Sequence, residues 1–204
     1  MDLFNTEMSA NILPYDGEVN YYGPIIPLSE AQRYFEILLR NIEWQKDRSI
    51  MFGKLIVSER KVALYSKEKL SYTYAKINRD TLPWTKELLE LKKNVEAKTG
   101  VQFNTCLLNL YHSGKEGMGW HTDAEKELKE DGAIASLSFG AERNFVFKHI
   151  QNKQKVTILL QKGSLLVMKG ETQKHWKHSL PKTTKVSTPR INLTFRNITS
   201  LEKR

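Results

Sequence analysis

Two histidines and an aspartate have the residue types and spacing of a metal site. His121 and Asp123 are two residues apart, and His178 follows downstream. On an extended segment, a two-residue spacing directs both side chains to the same face. Two imidazoles and one carboxylate on one face of a metal form the facial triad of non-haem iron(II) oxygenases, which leaves positions open for a cosubstrate and dioxygen. A similar ligand set also serves zinc-dependent hydrolysis, and an H-x-D triplet also arises by chance.

A segment near the end of the sequence could hold a dicarboxylate. Residues 190–196 alternate between an apolar face and a polar face, and the polar face consists of Arg190, Asn192, Thr194 and Arg196. Arginine binds carboxylates through a bidentate fork, so this face suits 2-oxoglutarate. The alternative is an amphipathic strand with a solvated basic face. Asn109 and Tyr111 also share a face and could donate to a carboxylate, although ordinary strand residues would look the same.

Two helices are predicted to support this chemistry. The first is expected to start at Ser29, because Ser29 and Gln32 have capping-box spacing and apolar residues follow at helical intervals. The second is expected after Pro83, with a C-terminal cap at Gly100 and with apolar residues at Leu88, Leu91 and Val95. Residues 1–28 are expected to be irregular.

Most of the remaining sequence is typical of β-strands. Short strands or hairpins are predicted in residues 49–62 and 70–77, which are rich in β-branched and aromatic residues. After Gly100 the predicted strands are 103–111, 133–139, 144–149, 156–160, 164–168 and 191–197. No strong helical pattern separates them, which favours an antiparallel sandwich or barrel over a parallel α/β sheet.

Composition narrows the class of protein. Lys plus Arg is 32 and Asp plus Glu is 23, and the resulting net charge of +9 favours a polyanionic partner, although it also promotes solubility. The single cysteine, Cys106, lies in an apolar run and is expected in the core of a protein from a reducing compartment. No apolar stretch reaches transmembrane length, so we expect an intracellular protein without a membrane partner.

Several motifs together resemble the AlkB family of nucleic-acid dealkylating dioxygenases, closest to the branch of AlkB homologues two and three. The resemblance covers roughly residue 50 to the end of the chain. The matching segments, in order, are Asn109-Leu110-Tyr111, Trp120-His121-Thr122-Asp123, Ile134-Ala135-Ser136-Leu137-Ser138-Phe139-Gly140, His175-Trp176-Lys177-His178-Ser179-Leu180-Pro181 and Pro189-Arg190-Ile191-Asn192-Leu193-Thr194-Phe195-Arg196.

The resemblance implies an α+β, mainly β fold with a double-stranded β-helix (jelly-roll) core, two supporting N-terminal helices and a β-hairpin nucleotide-recognition region. It implies one Fe(II)/2-oxoglutarate dioxygenase domain over residues 1–204, divided into an N-terminal extension and helix (1–48), the recognition region (49–80) and the jelly-roll core (101–204). It assigns iron(II) to His121, Asp123 and His178, but not to His175. It assigns 2-oxoglutarate to a wider set of residues: Asn109, Tyr111, Arg190, Asn192, Thr194 and Arg196.

The resemblance also implies a substrate-binding region before the core. An aromatic residue at the position of Phe52 would probe the duplex beside Gly53 and Lys54, and Tyr72 and Tyr74 would line the base pocket. The alternative is that Phe52 belongs to the core and the tyrosines are ordinary hairpin residues. The related branch has Asp where Ala124 follows the H-x-D, so any base contact there must come from elsewhere, with Glu125 as the nearest candidate.

The implied function is oxidative demethylation of 1-methyladenine and 3-methylcytosine in DNA. The reaction uses Fe(II), 2-oxoglutarate and O2, and releases succinate and formaldehyde. We expect a monomer with alkylated DNA as partner, located in the cytoplasm of a bacterium or the nucleus of a eukaryote. The alternatives are an RNA or protein demethylase of the same family and a non-catalytic nucleic-acid-binding module.

Overall fold

Two mainly antiparallel sheets, one large and one small, dominate the computed structural model, which describes residues 10–51, 54–68, 71–74 and 77–199. The first half contains β1 (Glu18–Pro24), α1 (Leu28–Asn41), β2 (Gln45–Met51), β3 (Lys54–Ser66), β4 (Ser71–Tyr74), β5 (Ile77–Asp80), β6 (Leu82–Pro83) and α2 (Lys86–Thr99). The second half contains β7 (Thr105–Tyr111), β8 (Met118–His121), β9 (Ile134–Gly140), β10 (Arg143–His149), β11 (Lys155–Leu160), β12 (Ser164–Lys169), α3 (Thr172–His175), β13 (Trp176–Leu180) and β14 (Arg190–Arg196).

The order of strands in the sheets differs from their order in the sequence. The large sheet runs β1-β12-β9-β14-β7-β3-β2, with β6 parallel to β3, and the small sheet runs β11-β10-β13-β8. Strands β4 and β5 form a separate two-stranded sheet. The two larger sheets enclose apolar side chains from both. After residue 100 the chain passes repeatedly between them, and only β10 and β11 are consecutive strands of the same sheet. This is the mainly β, jelly-roll architecture that the family resemblance implied.

Two helices pack against the large sheet. Helix α1 buries Ala31, Tyr34 and Leu38, and the ring of Tyr34 lies 6.2 Å from that of Phe139 on β9. Helix α2 buries Leu88, Leu91 and Val95, the three residues that the helical spacing indicated. Each leucine buried in this way contributes about 1.5–3 kcal/mol to stability. The two predicted supporting helices are therefore confirmed.

The sequence predicts the C-terminal cap of α2 correctly, but not the N-terminal cap of α1. In α2, the Thr85 side chain accepts a hydrogen bond from the Leu88 N–H, and Gly100 ends the helix at φ 71. The predicted cap of α1 is wrong, because the helix begins at Leu28 with Pro27 as its N-cap and without a side-chain cap. Gln32 instead donates to Glu36 along the helix.

The prediction that residues 1–28 are irregular is wrong for β1 (Glu18–Pro24), and residues 1–9 lie outside the described residues. Strand β1 pairs antiparallel with β12 at the edge of the large sheet and buries Val19. Its signal in the sequence is weak because a register shift interrupts the ladder between Tyr21 and Gly23, which breaks the regular alternation.

Further predictions concern the buried cysteine and the strands after Gly100. Cys106 is fully buried on β7, as predicted. Each of the six strands predicted after Gly100 is present, with bounds shifted by no more than two residues. Strands β8 and β13 and the short helix α3 had no separate prediction. Within the described ranges, no helix has both the length and the apolar character needed to cross a bilayer.

Candidate active site

The metal-ligand candidates meet where β8 and β13 pair in the small sheet. His121 ends β8 and lies directly opposite His178 on β13, while Asp123 follows β8 by two residues. One ligand atom from each residue lies within 4.8 Å of the others. Nε2 of His121 and Nε2 of His178 are each 3.8 Å from a carboxylate oxygen of Asp123. The cross-strand register therefore brings the distant His178 to the H-x-D.

All three residues are held in forms that can bind a metal. The Nδ1 of His121 lies 2.8 Å from the carbonyl oxygen of Gly119. That contact assigns the ring proton to Nδ1 and leaves the lone pair of Nε2 toward Asp123. Burial lowers the pKa of His178 to about 3, so its imidazole is neutral at neutral pH.

Asp123 is ionised although it is buried. Burial alone would raise the pKa of its carboxyl group, but the Arg196 guanidinium and the two histidines act in the opposite direction, and the pKa is lowered. We attribute the lowering mainly to Arg196, whose Nη2 donates to Oδ1 across 3.1 Å, because His178 is neutral. The backbone N–H of Asp123 donates to Oε1 of Gln173 across 2.9 Å, which fixes the start of the loop.

A second charged group faces the same space. Arg190 is 3 % exposed, and its Nη2 donates to Oγ of Ser138 across 2.9 Å and to Oδ1 of Asn192 across 3.0 Å. Its Nε has no hydrogen-bond partner in the described part of the chain. Burial lowers the pKa of Arg190 to about 10, so it stays charged at neutral pH. Among the described residues, no carboxylate contributes to the pKa of Arg190. The charge of this buried guanidinium is therefore not balanced by an acidic side chain there, and it suits an anionic ligand.

Close backbone contact sets the position of Arg190. Gly140 ends β9 at φ +78, and a Cβ built there would lie 2.4 Å from the carbonyl oxygen of Pro189. Only glycine accommodates both the conformation and the approach. The end of β9 therefore lies close against the residue that precedes Arg190.

The rest of the polar face on β14 is buried rather than solvated. Asn192, Thr194 and Arg196 are 8 %, 6 % and 5 % exposed. Asn109 lies opposite Asn192 in the β7–β14 ladder, and Tyr111 lies opposite Arg190. The alternative of a solvated basic strand is therefore wrong. These side chains and the three metal-ligand candidates line one cavity of about 50 Å³.

Several residues that line this cavity or bond to its lining residues are not marked as site residues by the sequence. Ser138 bonds Arg190, and Ser136 donates to Asn192 across 2.7 Å. The two-residue spacing of these serines on β9 was a usable signal. Arg60 lies within residues 49–80, the range of the expected recognition region, but it is buried against Asp47 and its Nη1 donates to the Tyr111 hydroxyl across 3.4 Å. No local pattern marks Arg60 or Gln173, since their contacts are long-range.

The structure describes the predicted substrate-binding residues only in part. Phe52 and Gly53 lie outside the described residues. Lys54 is exposed at the start of β3. Tyr72 and Tyr74 belong to β4, where their backbones pair with Arg79 and Ile77 of β5.

A larger cavity of about 370 Å³ shares Asp123 and Arg196 with the first one. It extends along residues 124–133, including Ala124 and Glu125. Oε1 of Glu125 lies 3.5 Å from Nη1 of Arg196, so this carboxylate is tied to the same arginine as Asp123.

Comparisons with known proteins agree with this geometry. The family model of the 2OG-Fe(II) oxygenase superfamily matches residues 19–196. The chain is 39 % identical over 194 residues to bovine DNA oxidative demethylase ALKBH2, covering 90 % of this chain and 70 % of that protein. The chain belongs to the AlkB family of 2OG-Fe(II) oxygenases. This AlkB-family chain is also 38 % identical over 183 residues to bovine alpha-ketoglutarate-dependent dioxygenase alkB homolog 3, covering 85 % of this chain and 63 % of that protein.

Solved structures support the fold of this AlkB-family member. The structure of OsALKBH1 superposes with a TM-score of 0.55 at 14 % identity, covering 83 % of this chain and 90 % of that one. Members of the superfamily use Fe(II), 2-oxoglutarate and O2. The donor set fits Fe(II), because two imidazoles, of which that of His178 is neutral, and an ionised carboxylate converge here. The buried guanidinium of Arg190, which has no carboxylate partner among the described residues, fits the cosubstrate. The chain is accordingly an Fe(II)/2-oxoglutarate-dependent dioxygenase.

Proposed function

We propose that this chain repairs alkylated bases in DNA by oxidative demethylation. Its substrates would be lesions such as 1-methyladenine and 3-methylcytosine. The reaction consumes 2-oxoglutarate and O2, and releases succinate, CO2, formaldehyde and the repaired base. The observation that carries the proposal is the convergence of His121, Asp123 and His178 with the buried Arg190 on one cavity. The names of the ALKBH2 relatives supply the substrate class.

The proposed roles in the site follow from charge and position. His121, Asp123 and His178 would hold iron(II), which with 2-oxoglutarate and O2 supplies the oxidation of the N-alkyl carbon. Arg190 would bind the distal carboxylate of 2-oxoglutarate. The polar neighbours that would orient the cosubstrate around it are Asn109, Tyr111, Asn192, Thr194 and Arg196. Two hydrogen-bonded neighbours, Ser138 and Asn192, fix the Arg190 side chain before the cosubstrate arrives.

Apolar side chains limit water around the reacting carbon. Leu107, Met118 and Phe145 line the cavity together with the metal-ligand candidates. The ring of Phe145 lies 5.4 Å from that of His178. Exclusion of water strengthens the interactions of Arg190 and Asp123 with their ligands, because charge pairs interact more strongly in a low-dielectric site.

The base must leave the stack before its alkyl group can reach this site. We propose that Tyr72 and Tyr74 stack on the extruded base and that Phe52, with Gly53 and Lys54, probes the duplex. The cavity of about 370 Å³ beside Asp123 offers space for the base. The related branch has an Asp at the position of Ala124. Here Glu125, the next residue, lines this cavity and would supply the carboxylate close to the exocyclic groups of the base.

A row of lysines on the outer face of the small sheet supports a polyanionic partner. Lys148 on β10 lies directly opposite Lys155 on β11 and Lys177 on β13. Like charges in direct cross-strand pairs destabilise a sheet, so this row favours an anion that spans it. The ammonium of Lys148 lies 4.2 Å above the ring of Trp120, which is 38 % exposed beside His121. Basic side chains next to an exposed aromatic ring suit a sugar–phosphate backbone.

A panel of methylated oligonucleotides tests the proposal. Single- and double-stranded DNA and RNA carrying 1-methyladenine or 3-methylcytosine would be incubated with enzyme, Fe(II) and 2-oxoglutarate, and formaldehyde and repaired base would be measured. We expect repair of DNA by the wild type and none by Asp123→Asn. Repair of RNA alone would replace the DNA assignment with the RNA one. A gel shift without formaldehyde would leave only a binding module. We also propose that the protein acts as a monomer. It would act where the DNA is, in the cytoplasm of a bacterium or the nucleus of a eukaryote.

A further inference from the structure

A second group of two histidines and a carboxylate lies outside the catalytic site. Among the described residues, Asp16, His149 and His175 each place one ligand atom within 4.8 Å of the other two, the same limit that the first triad satisfies. The two groups share no residue, although His175 precedes His178 by three positions on the same stretch of chain. The dioxygenase chemistry uses none of these three side chains.

Three separate segments bring the group together. Asp16 comes from the segment before β1, where it adopts φ 50, a conformation rare outside glycine. His149 ends β10 and pairs with Trp176, while His175 ends α3. Tyr15 fastens the first segment to the others: its carbonyl oxygen accepts from Nε1 of Trp176 across 3.0 Å, and its ring lies 5.4 Å from that of His149.

The burial and orientation of these side chains suit a small metal site. His149 is 2 % exposed, and its Nε2 lies 3.3 Å from Oδ2 of Asp16. The rings of His149 and His175 are nearly parallel, with an interplanar angle of 4° and centroids 6.4 Å apart. A second carboxylate stands close by, with Oε2 of Glu171 3.9 Å from Nε2 of His175. Two imidazoles and one or two carboxylates are thus within reach of one ion.

Binding of a cation would change which ring nitrogen of His149 carries the proton. Its Nδ1 accepts a long hydrogen bond of 3.3 Å from the N–H of Asn152, so without a metal the ring proton is on Nε2, toward Asp16. A cation at Nε2 displaces this proton, and the neutral ring then carries its proton on Nδ1. The Asn152 contact ends, and the carboxylate of Asp16 gains a cation in place of an N–H donor.

We propose that Asp16, His149 and His175 form a second metal site that binds Zn²⁺. Nitrogen and oxygen donors of this kind suit Zn²⁺, with Glu171 or water completing a tetrahedral shell. The ion would tie the segment before β1 to the ends of β10 and α3. Helix α3 also supplies Gln173, whose Oε1 accepts from the Asp123 N–H. The site would therefore stabilise the element that positions the catalytic carboxylate, without contact with substrate.

Metal stoichiometry of the metal-free full chain tests this site apart from catalysis. Co²⁺ would be titrated and followed by calorimetry and by the visible absorption of a low-coordinate cobalt site. We expect two ions per wild-type chain and one per chain for His175→Ala. We also expect one for a variant with a disabled first triad, His121→Ala/Asp123→Asn, and none when the three changes are combined. Zn²⁺ should raise the Tm of the variant with the disabled triad but not that of the combined variant.

A matched control and an alternative variant complete the design. His112 is an exposed histidine whose Nδ1 lies 2.9 Å from Glu116, so His112→Ala should leave both ions bound. If the combined variant does not fold, Asp16→Asn replaces His175→Ala, because the Asp16 side chain is 51 % exposed. The proposal is overturned if the variant with the disabled triad binds no Co²⁺, or binds it equally well with and without His175.

Discussion

Arg196 donates through Nη2 to Oδ1 of Asp123 across 3.1 Å, and so joins the strand that carries Arg190 to the carboxylate of the metal-ligand candidates. Both side chains are buried. Arg190 and Arg196 belong to the same strand, β14, six residues apart. A displacement of β14 would therefore disturb the proposed cosubstrate site and the proposed metal site together.

The first prediction concerns Asp123. Asp123→Asn should abolish succinate formation and strongly weaken binding of iron, because the amide keeps the shape but loses the charge that the metal requires. Breaking one partner of a buried pair costs about 3–5 kcal/mol, so we also expect a lower Tm. Iron content after dialysis, succinate release and thermal unfolding would be measured together. A variant with wild-type turnover would refute the assignment of the metal site.

The second prediction concerns pH. An unfolded histidine has a pKa of about 6.5, whereas burial lowers that of His178 to about 3. Between these values the unfolded chain binds more protons than the folded one, so the free energy of unfolding decreases as the pH falls. The lowered pKa of Asp123 acts in the same direction below about pH 4.

Urea unfolding of metal-free protein checks this dependence. From about pH 7 to about pH 5, His178 alone should remove on the order of 2 kcal/mol of stability. His178→Gln should show a shallower decrease over this range, since glutamine does not titrate. Parallel pH profiles for the two proteins would contradict the assignment of a neutral, buried His178.

The third prediction separates Arg190 from its buried neighbour Arg143. Arg190→Lys keeps a charge but loses the fork, so the KM for 2-oxoglutarate should rise about tenfold or more, given about 1.5–3 kcal/mol for a hydrogen bond to a charged group. Arg143 donates to the carbonyl oxygens of Glu116 and Pro181 and has a structural role. Arg143→Lys should therefore lower the Tm with little change in this KM. Similar KM values for both variants would count against the role of Arg190.

The fourth prediction concerns the base pocket. Tyr74→Ala should raise the KM for a methylated oligonucleotide far more than the KM for 2-oxoglutarate, because stacking on an aromatic ring contributes about 1–3 kcal/mol per base. Tyr74→Phe is the matched control, since it retains the ring and should retain most of the affinity. The two constants would be measured by steady-state formaldehyde release. Equal losses for both ligands in Tyr74→Ala would place Tyr74 outside the base pocket.

The fifth prediction concerns the lysine row. Lys177→Gln should weaken binding of DNA about equally for every sequence and reduce the slope of log K against log salt by about 0.9, as expected for one lost phosphate contact. Lys92 on α2 forms an ion pair of 2.6 Å with Glu96. Lys92→Gln should leave the slope unchanged. Binding would be followed by fluorescence anisotropy at several salt concentrations, and an unchanged slope for Lys177→Gln would exclude the row from the DNA interface.

Local patterns were sufficient for much of the fold. Helical spacing located α2 and its buried residues Leu88, Leu91 and Val95, and the glycine after it marked its end. Alternation located β14 and separated the polar face with Arg190 from the apolar face. These features depend on residues a few positions apart, which is the range over which periodicity carries information.

Other features depend on partners far along the chain. The pairing of β8 with β13 aligns His121 with His178. No local pattern in the sequence predicts the register of this pairing. The same holds for Gln173, which bonds the Asp123 backbone from 50 residues away, and for Arg60, which reaches Tyr111 across 51. The polar face of β14 could be identified, but its burial could not, because burial is set by the strands on either side.

The hairpin of β4 and β5 forms its own ladder, separate from both larger sheets in the part of the chain that the structure describes. Under the proposed roles of Tyr72 and Tyr74 in the base pocket, variation in this hairpin would alter which polymer or lesion is accepted while leaving the oxidising centre unchanged. Under the same proposal, replacing this hairpin is a practical route to new repair specificities. Mutational drift in nature would have the same freedom, and one oxygenase framework would then diversify by changes in this hairpin.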